Sequence, residues 1–289
     1  MGLFSDVEQM GLGGVDMEKV FQDEAKTTHE TENEEKDKHD QEKREEDILF
    51  NKSYQCPICD SEFKVKAVRT GKIKLIDQDE QLRPIYENHI DPLKYDAITC
   101  SKCGYTALTR YFKPVTTAQY RTIKQEFCAN FKGLPEEKGA CMSYEGALLR
   151  HKLALICALK RNAKSSEKAY IFLKMAWLLR GEMETLDKAD PRQAELKKEE
   201  RECVQKAYEG FLMAFSKENF PMCGMDEISL RYIMAVLAHD IGKIDEISAF
   251  PVNDYTDDGQ LLGHIMMGTE MVAEKIRQIE KRISGQEIK

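Results

Sequence analysis

Between Phe63 and Val68 the side chains alternate, with Phe63, Val65 and Ala67 interleaved with Lys64, Lys66 and Val68. A period of two predicts a half-buried strand. Thr70-Gly71 then offers a turn, and Ile73 and Leu75 alternate with Lys72 and Lys74, so the pattern predicts a hairpin over 63–75. Pro84 and Pro92 mark an irregular excursion, after which residues 95–99 and 105–111 regain strand character.

After Pro114 the period changes. Leu148, Leu149, Leu153, Ile156 and Leu159 follow helical spacing. Ser165 or Ser166 can cap a second helix carrying Tyr170, Leu173, Met175, Trp177 and Leu178. Asp190-Pro191-Arg192-Gln193 combines a capping side chain, a proline suited to the first turn and an amide at the third position. The helix it opens shows Val204, Ala207, Tyr208, Phe211 and Phe215 on one face, and Asp226 can cap another that buries Leu230, Ile233, Met234 and Leu237. A last stripe, Ile265, Met266, Val272, Ile276 and Ile279, predicts a helix over 263–283. Helices of this length with short connections predict antiparallel, repeat-like packing, although no fixed sequence period accompanies them.

Charge changes the picture at the N-terminus. From Gln22 to Asp47 there are twelve carboxylates against five Lys or Arg, a balance of -7 out of a net -8 for 289 residues. Ala25 is the only apolar residue in that stretch, so residues 1–50 are expected to form a mobile acidic segment. Leu3, Phe4, Val7, Met10 and Leu12 ahead of it can dock as a short helix. The rest of the chain is near neutral, which argues against a globally basic nucleic-acid binder. Lys64, Lys66, Arg69, Lys72 and Lys74 give the hairpin a basic face, a weak pointer to nucleic acid and more simply a solvated surface. No apolar run reaches the roughly 20 residues a membrane crossing needs. No basic segment followed by an apolar one opens the chain, so a cytoplasmic protein without a membrane anchor is expected.

Nine cysteines, four of them in two C-x-x-C pairs, point to a metal in a reducing compartment rather than to disulfides. Cys56-Pro57-Ile58-Cys59 and Cys100-Ser101-Lys102-Cys103 stand forty residues apart. Each pair can form a tight knuckle aiming two sulfurs at one ion, and two knuckles supply the four thiolates of a structural zinc site. Gly104, just after the second pair, suits the positive φ such a knuckle requires. A thioredoxin-type redox motif is disfavoured, because there are two pairs and neither lies between a strand and a long helix. Cys223 is expected to pack rather than react, and Cys128, Cys141, Cys157 and Cys203 read as core or incidental positions.

The expected fold is therefore α+β, mainly α: a small β zinc ribbon (51–115) followed by an antiparallel helical domain (116–233) and a helical segment (234–289). Cys-Pro-Ile-Cys at 56, Pro84-Ile85-Tyr86, Cys-Ser-Lys-Cys-Gly-Tyr at 100, Ala176-Trp177-Leu178-Leu179-Arg180 and Phe220-Pro221-Met222-Cys223-Gly224-Met225 resemble a bacterial domain-of-unknown-function family, number 2225, over about 54–238. The resemblance implies a zinc-ribbon-like module with helices and supplies no activity.

A second resemblance begins near Met234. Ala238-His239-Asp240-Ile241-Gly242-Lys243 and Asp257-Asp258-Gly259 to Gly263-His264 are similar to HD-domain phosphohydrolases of the 3′-to-5′ exoribonuclease type. This implies His239, Asp240 and His264 as ligands of a manganese or magnesium ion and Lys243 as a phosphate contact. The nearest earlier histidine, His151, lies 88 residues upstream of His239, and none follows His264, so the ligand set is incomplete. The segment reads as a truncated fragment, inactive alone. The expected function is a non-enzymatic zinc-binding scaffold or adaptor for a protein partner, with a metal-dependent HD-type hydrolase as the alternative.

Overall fold

In the computed structural model, residues 45–137 and 139–243 are described. They form three two-stranded antiparallel sheets followed by five helices. Strand β1 (Leu49–Gln55) pairs with β2 (Glu62–Val68), running from Leu49 opposite Val68 to Gln55 opposite Glu62. The first cysteine pair is thus the turn of this hairpin. The expected hairpin about Thr70-Gly71 does not form, since Thr70–Lys72 is a single 3-10 turn and β2 turns to the chain before it. The reason is local: the C-x-x-C turn connects β1 and β2 with a short loop, while β1 itself is too solvent-exposed to show an alternating pattern.

Strand β3 (Leu75–Gln78) pairs with β4 (Pro84–Tyr86) through a tip organised by Asp79. Asp79 Oδ1 accepts from the amides of Gln81 and Arg83, each at 2.9 Å, and its Oδ2 accepts from Arg180 Nη1 at 2.7 Å. The following excursion is fastened to the helices by two contacts, Lys174 Nζ to Asp96 Oδ2 at 2.7 Å and Tyr144 Oη to Asp91 Oδ2 at 3.2 Å. Glu45, at the edge of the acidic segment, is buried and accepts from Lys94 Nζ at 2.7 Å and from Tyr95 Oη. Residues 45–50, which fall within the expected acidic segment, are among the described residues, and the rest of that segment lies outside them.

Strands β5 (Ala97–Thr99) and β6 (Thr106–Leu108) are wholly buried and pack against helix α2 (Tyr144–Lys160). Between them α1 (Thr117–Glu126) starts with a capping box of Thr116 and Gln119. Helices α3 (Ser165–Thr185), α4 (Arg192–Lys217) and α5 (Glu227–Asp240) follow, each packed on its predecessor, as short connections require. Leu153, Ile171, Phe172, Met175, Phe211, Leu230 and Leu237 are fully buried between them. The expected α+β, mainly α class holds.

Asp226 caps α5, its Oδ1 accepting from Ser229 N at 2.7 Å. The start of α3 is capped differently from the expectation. Neither Ser165 nor Ser166 caps it; instead Glu218, just past the end of α4, accepts from the Ser166 amide at 3.1 Å and from the Ser166 hydroxyl. A carboxylate there meets both the free amides and the positive end of the helix dipole.

Candidate metal centre

The four cysteines converge. Their sulfurs all lie within 4.8 Å of one another, with Cys56 to Cys103 and Cys59 to Cys100 each at 3.6 Å. A disulfide would bring two sulfurs to about 2.05 Å. Four thiolates around a zinc ion at about 2.3 Å would stand about 3.8 Å apart along each tetrahedral edge. The cluster can hold a metal ion, and its dimensions suit a tetrahedral one.

Both knuckles have one backbone plan. Cys56 N donates to Ser61 O at 3.0 Å and Asp60 N to Cys56 O at 3.0 Å; Cys100 N donates to Tyr105 O and Gly104 N to Cys100 O, both at 2.9 Å. The residue after each second cysteine is left-handed, Asp60 at φ 56° and Gly104 at φ 77°. Gly104 takes the conformation expected of it. Asp60, which the sequence did not single out, does the same without being glycine, as short polar side chains can. Within the first turn the Ile58 amide points at Cys56 Sγ, 3.4 Å away, a donor that favours a thiolate.

An aromatic cluster joins the two hairpins beside the sulfurs. Phe112 stands 5.6 Å from Tyr54, 6.0 Å from Phe63 and 5.6 Å from Tyr105, ring centre to ring centre. Tyr54 and Phe63 come from the first hairpin and Tyr105 from the second, so one ring seals both. Phe131 packs on the other side, against Gly104, where a β-carbon would fall inside the ring's contact surface.

The protonation of the sulfurs follows from this crowding. Cys56 is pushed upward by its hydrogen bond with Cys103 and by burial, and Cys100 upward by burial. Cys103 is raised first by a hydrogen bond with Cys128. Cys59 is the exception. Burial opposes ionisation there, yet hydrogen bonds from Ser61, 2.9 Å away, hold it at about 7. Without a cation most of the cluster keeps its protons; a bound dication would reverse that preference.

Cys128, which reads as a core or incidental position, is half-buried 25 positions beyond Cys103. Cys157 and Cys203 are fully buried, Cys141 is buried, and the Cys223 thiol donates to Ser166 O at 3.1 Å. Burial lifts Cys223 to about 11, in keeping with a packing role.

The HD-like residues sit apart from this centre. His239 and Asp240 end α5, with His239 Nδ1 3.6 Å from Asp240 Oδ1. Asp240 Oδ2 accepts from Gln81 Nε2 at 2.6 Å, and Lys243 Nζ lies 5.6 Å above the Tyr208 ring. His151 is fully buried inside α2, its Nδ1 2.8 Å from Ala147 O. His264 lies outside the described residues. Among the described residues, the cysteine cluster is the one group of three or more potential ligands close enough to share an ion. No helix among them is long and apolar enough to cross a membrane.

No curated protein and no solved structure matches the chain. A family model does, over residues 49–282, a span that takes in both cysteine pairs, all five described helices and most of the HD-like segment. The chain belongs to the bacterial family described as "Uncharacterized protein conserved in bacteria (DUF2225)".

Proposed function

We propose that the chain is a non-enzymatic adaptor whose two cysteine hairpins are locked together by one structural zinc ion, presenting the helical domain to a protein partner. The observation that carries this reading is the pair of equivalent knuckles placing four sulfurs within 4.8 Å. Cys56, Cys59, Cys100 and Cys103 would hold the ion, and soft thiolates favour zinc over magnesium, calcium or manganese. Four protein ligands leave no coordination position for substrate, which is the arrangement of a folding metal rather than a catalytic one. Bound zinc supplies cross-linking of the hairpins, and the surrounding residues orient the sulfurs and shield them from water. Thiolates of this kind belong in a reducing compartment, which supports a cytoplasmic location.

Residues 51–115 would then form the metal module and 116–233 the scaffold, while 244–289, most of the expected helical segment, lie outside the described residues. Leu75 and Ile76 on β3 are 50% and 55% exposed and offer apolar contact area beside the module. Metal analysis of purified chain tests the reading. One zinc per chain is expected, with loss of metal and cooperative folding in Cys100→Ser. A colourless chain without zinc after zinc-supplemented expression, or one carrying iron, would overturn it.

A further inference from the structure

One face of the first hairpin is basic and exposed. Between Phe63 and Asp77 the chain carries Lys64, Lys66, Arg69, Lys72 and Lys74 and no carboxylate. Opposed residues of an antiparallel pair share a face, so Lys64 lies with Ser53 and Lys66 with Asn51, while Phe63 turns the other way and is buried. All five cations are exposed. Lys66 Nζ donates to Ala140 O, and Lys74 Nζ lies 3.4 Å from Glu87 Oε1, a pair too exposed to neutralise the face. The chain enters the fold at one end of this same surface. Glu45 is held by Lys94 and Tyr95, the amide of buried Ile48 donates to Glu45 O at 3.2 Å, and Arg69 N donates to Ile48 O at 2.9 Å. Residue 44 therefore departs within one turn of Arg69, with Lys72 and Lys74 close behind it in the chain.

We propose that residues 23–35 of the same chain dock on this basic face and shield it from other polyanions. Those residues lie outside the described ones and hold six carboxylates against one lysine. Residues 36–44, which join them to the fold, are nearly balanced, with three carboxylates against four Lys or Arg, and serve as the spacer. Nine extended residues reach about 30 Å, more than the roughly 24 Å length of a seven-residue strand, so the acidic stretch can lie anywhere along the hairpin. Ala25 is its only apolar residue, so the attraction is electrostatic and falls with salt. Each exposed pair contributes little, but a short tether places the carboxylates at an effective concentration of order millimolar beside the lysines. The inference does not rest on the metal reading.

The test compares the unaltered full chain with a full-length variant carrying Glu30→Gln, Glu32→Gln, Glu34→Gln and Glu35→Gln, which leaves every described residue in place. Both are treated with a limiting acetylating reagent, and lysine modification is mapped by mass spectrometry, with exposed Lys217 at the end of α4 as the reference. At low salt, Lys64, Lys72 and Lys74 are expected to react about two- to fivefold more slowly in the unaltered chain, the range that exposed ion pairs supply. The difference should vanish in 1 M salt, where the Debye length falls to about 3 Å. Carbodiimide treatment of the unaltered chain should join a carboxylate of residues 23–35 to Lys72 or Lys74 within one chain, as distinguished by mixing isotope-labelled and unlabelled protein. Equal low-salt reactivity in the two chains would overturn the proposal. Cross-links found only between chains would overturn it in favour of a second copy. A single-stranded RNA oligonucleotide that binds both chains equally tightly would overturn it in favour of an open nucleic-acid surface.

Discussion

Asp60 and Gly104 occupy the same place in two successive turns. Each follows the second cysteine of its pair in a left-handed conformation, and each donates its amide to the carbonyl of that pair's first cysteine. The equivalence predicts unequal responses to substitution. Gly104→Ala meets both the left-handed penalty of about 1–2 kcal/mol and the Phe131 ring, so destabilisation above about 2 kcal/mol is expected. Asp60→Gly is expected to shift stability by less than about 1 kcal/mol in either direction. Urea unfolding with zinc present distinguishes the two; equal effects would show that the turns are not equivalent.

Phe112 bridges aromatic rings from both hairpins, so its loss should act on the cage without touching a sulfur. Phe112→Ala is expected to cost roughly 2–4 kcal/mol and to speed metal loss to a chelator. Unchanged metal retention in the variant would show that the cluster does not hold the hairpins together.

His151 makes stability depend on pH. Burial in α2 lowers its pKa to about 4, against an ordinary value near 6.5. Above 6.5 the ring is neutral in both folded and unfolded chains. As pH falls from 6.5 toward 4 the unfolded chain takes up a proton that the folded one refuses, so stability is lost in that window, on the order of 3 kcal/mol in all. His151→Leu should flatten this part of the profile. Acid release of metal affects both chains alike, so the difference between their unfolding curves at each pH isolates the histidine. Parallel profiles would refute the assignment.

Arg180 holds a buried carboxylate. Its Nε and Nη2 reach Glu200 Oε1 at 2.7 and 2.6 Å, and its Nη1 reaches Asp79, so one guanidinium ties α3 to α4 and to the β3–β4 tip. Glu200 is only 2% exposed. Arg180→Ala is expected to cost roughly 3–5 kcal/mol by stranding that charge, even though Lys197 Nζ also lies 2.7 Å from Glu200 Oε2. Arg180→Lys should recover only part, because an ammonium cannot reproduce the fork. Thermal unfolding of the two variants checks this; wild-type stability in Arg180→Ala would show the lysine to be sufficient.

Much of the architecture could be read along the chain. The helices after Pro114 announce themselves because their apolar positions repeat at the helical period, and Asp226 caps where its side chain and spacing indicate. The cysteine set was legible for a similar reason: two C-x-x-C pairs specify local turns whose sulfurs share one direction, and Gly104 marks the strained position. Other features depended on partners distant in sequence. Strand β1 has no alternating pattern because most of it is solvent-exposed, and only pairing with β2 defines it. The cap of α3 comes from Glu218, 52 residues beyond Ser166, which a local rule cannot find.

Local chemistry in the sequence therefore determined the helices and the two cysteine turns, since each depends on residues within a few positions of one another. Tertiary structure alone decided that the turns face each other and that Phe112 joins rings from both hairpins. Those relations depend on burial of side chains brought together across tens of residues, and the free energy of that burial belongs to the packed chain rather than to any segment of it.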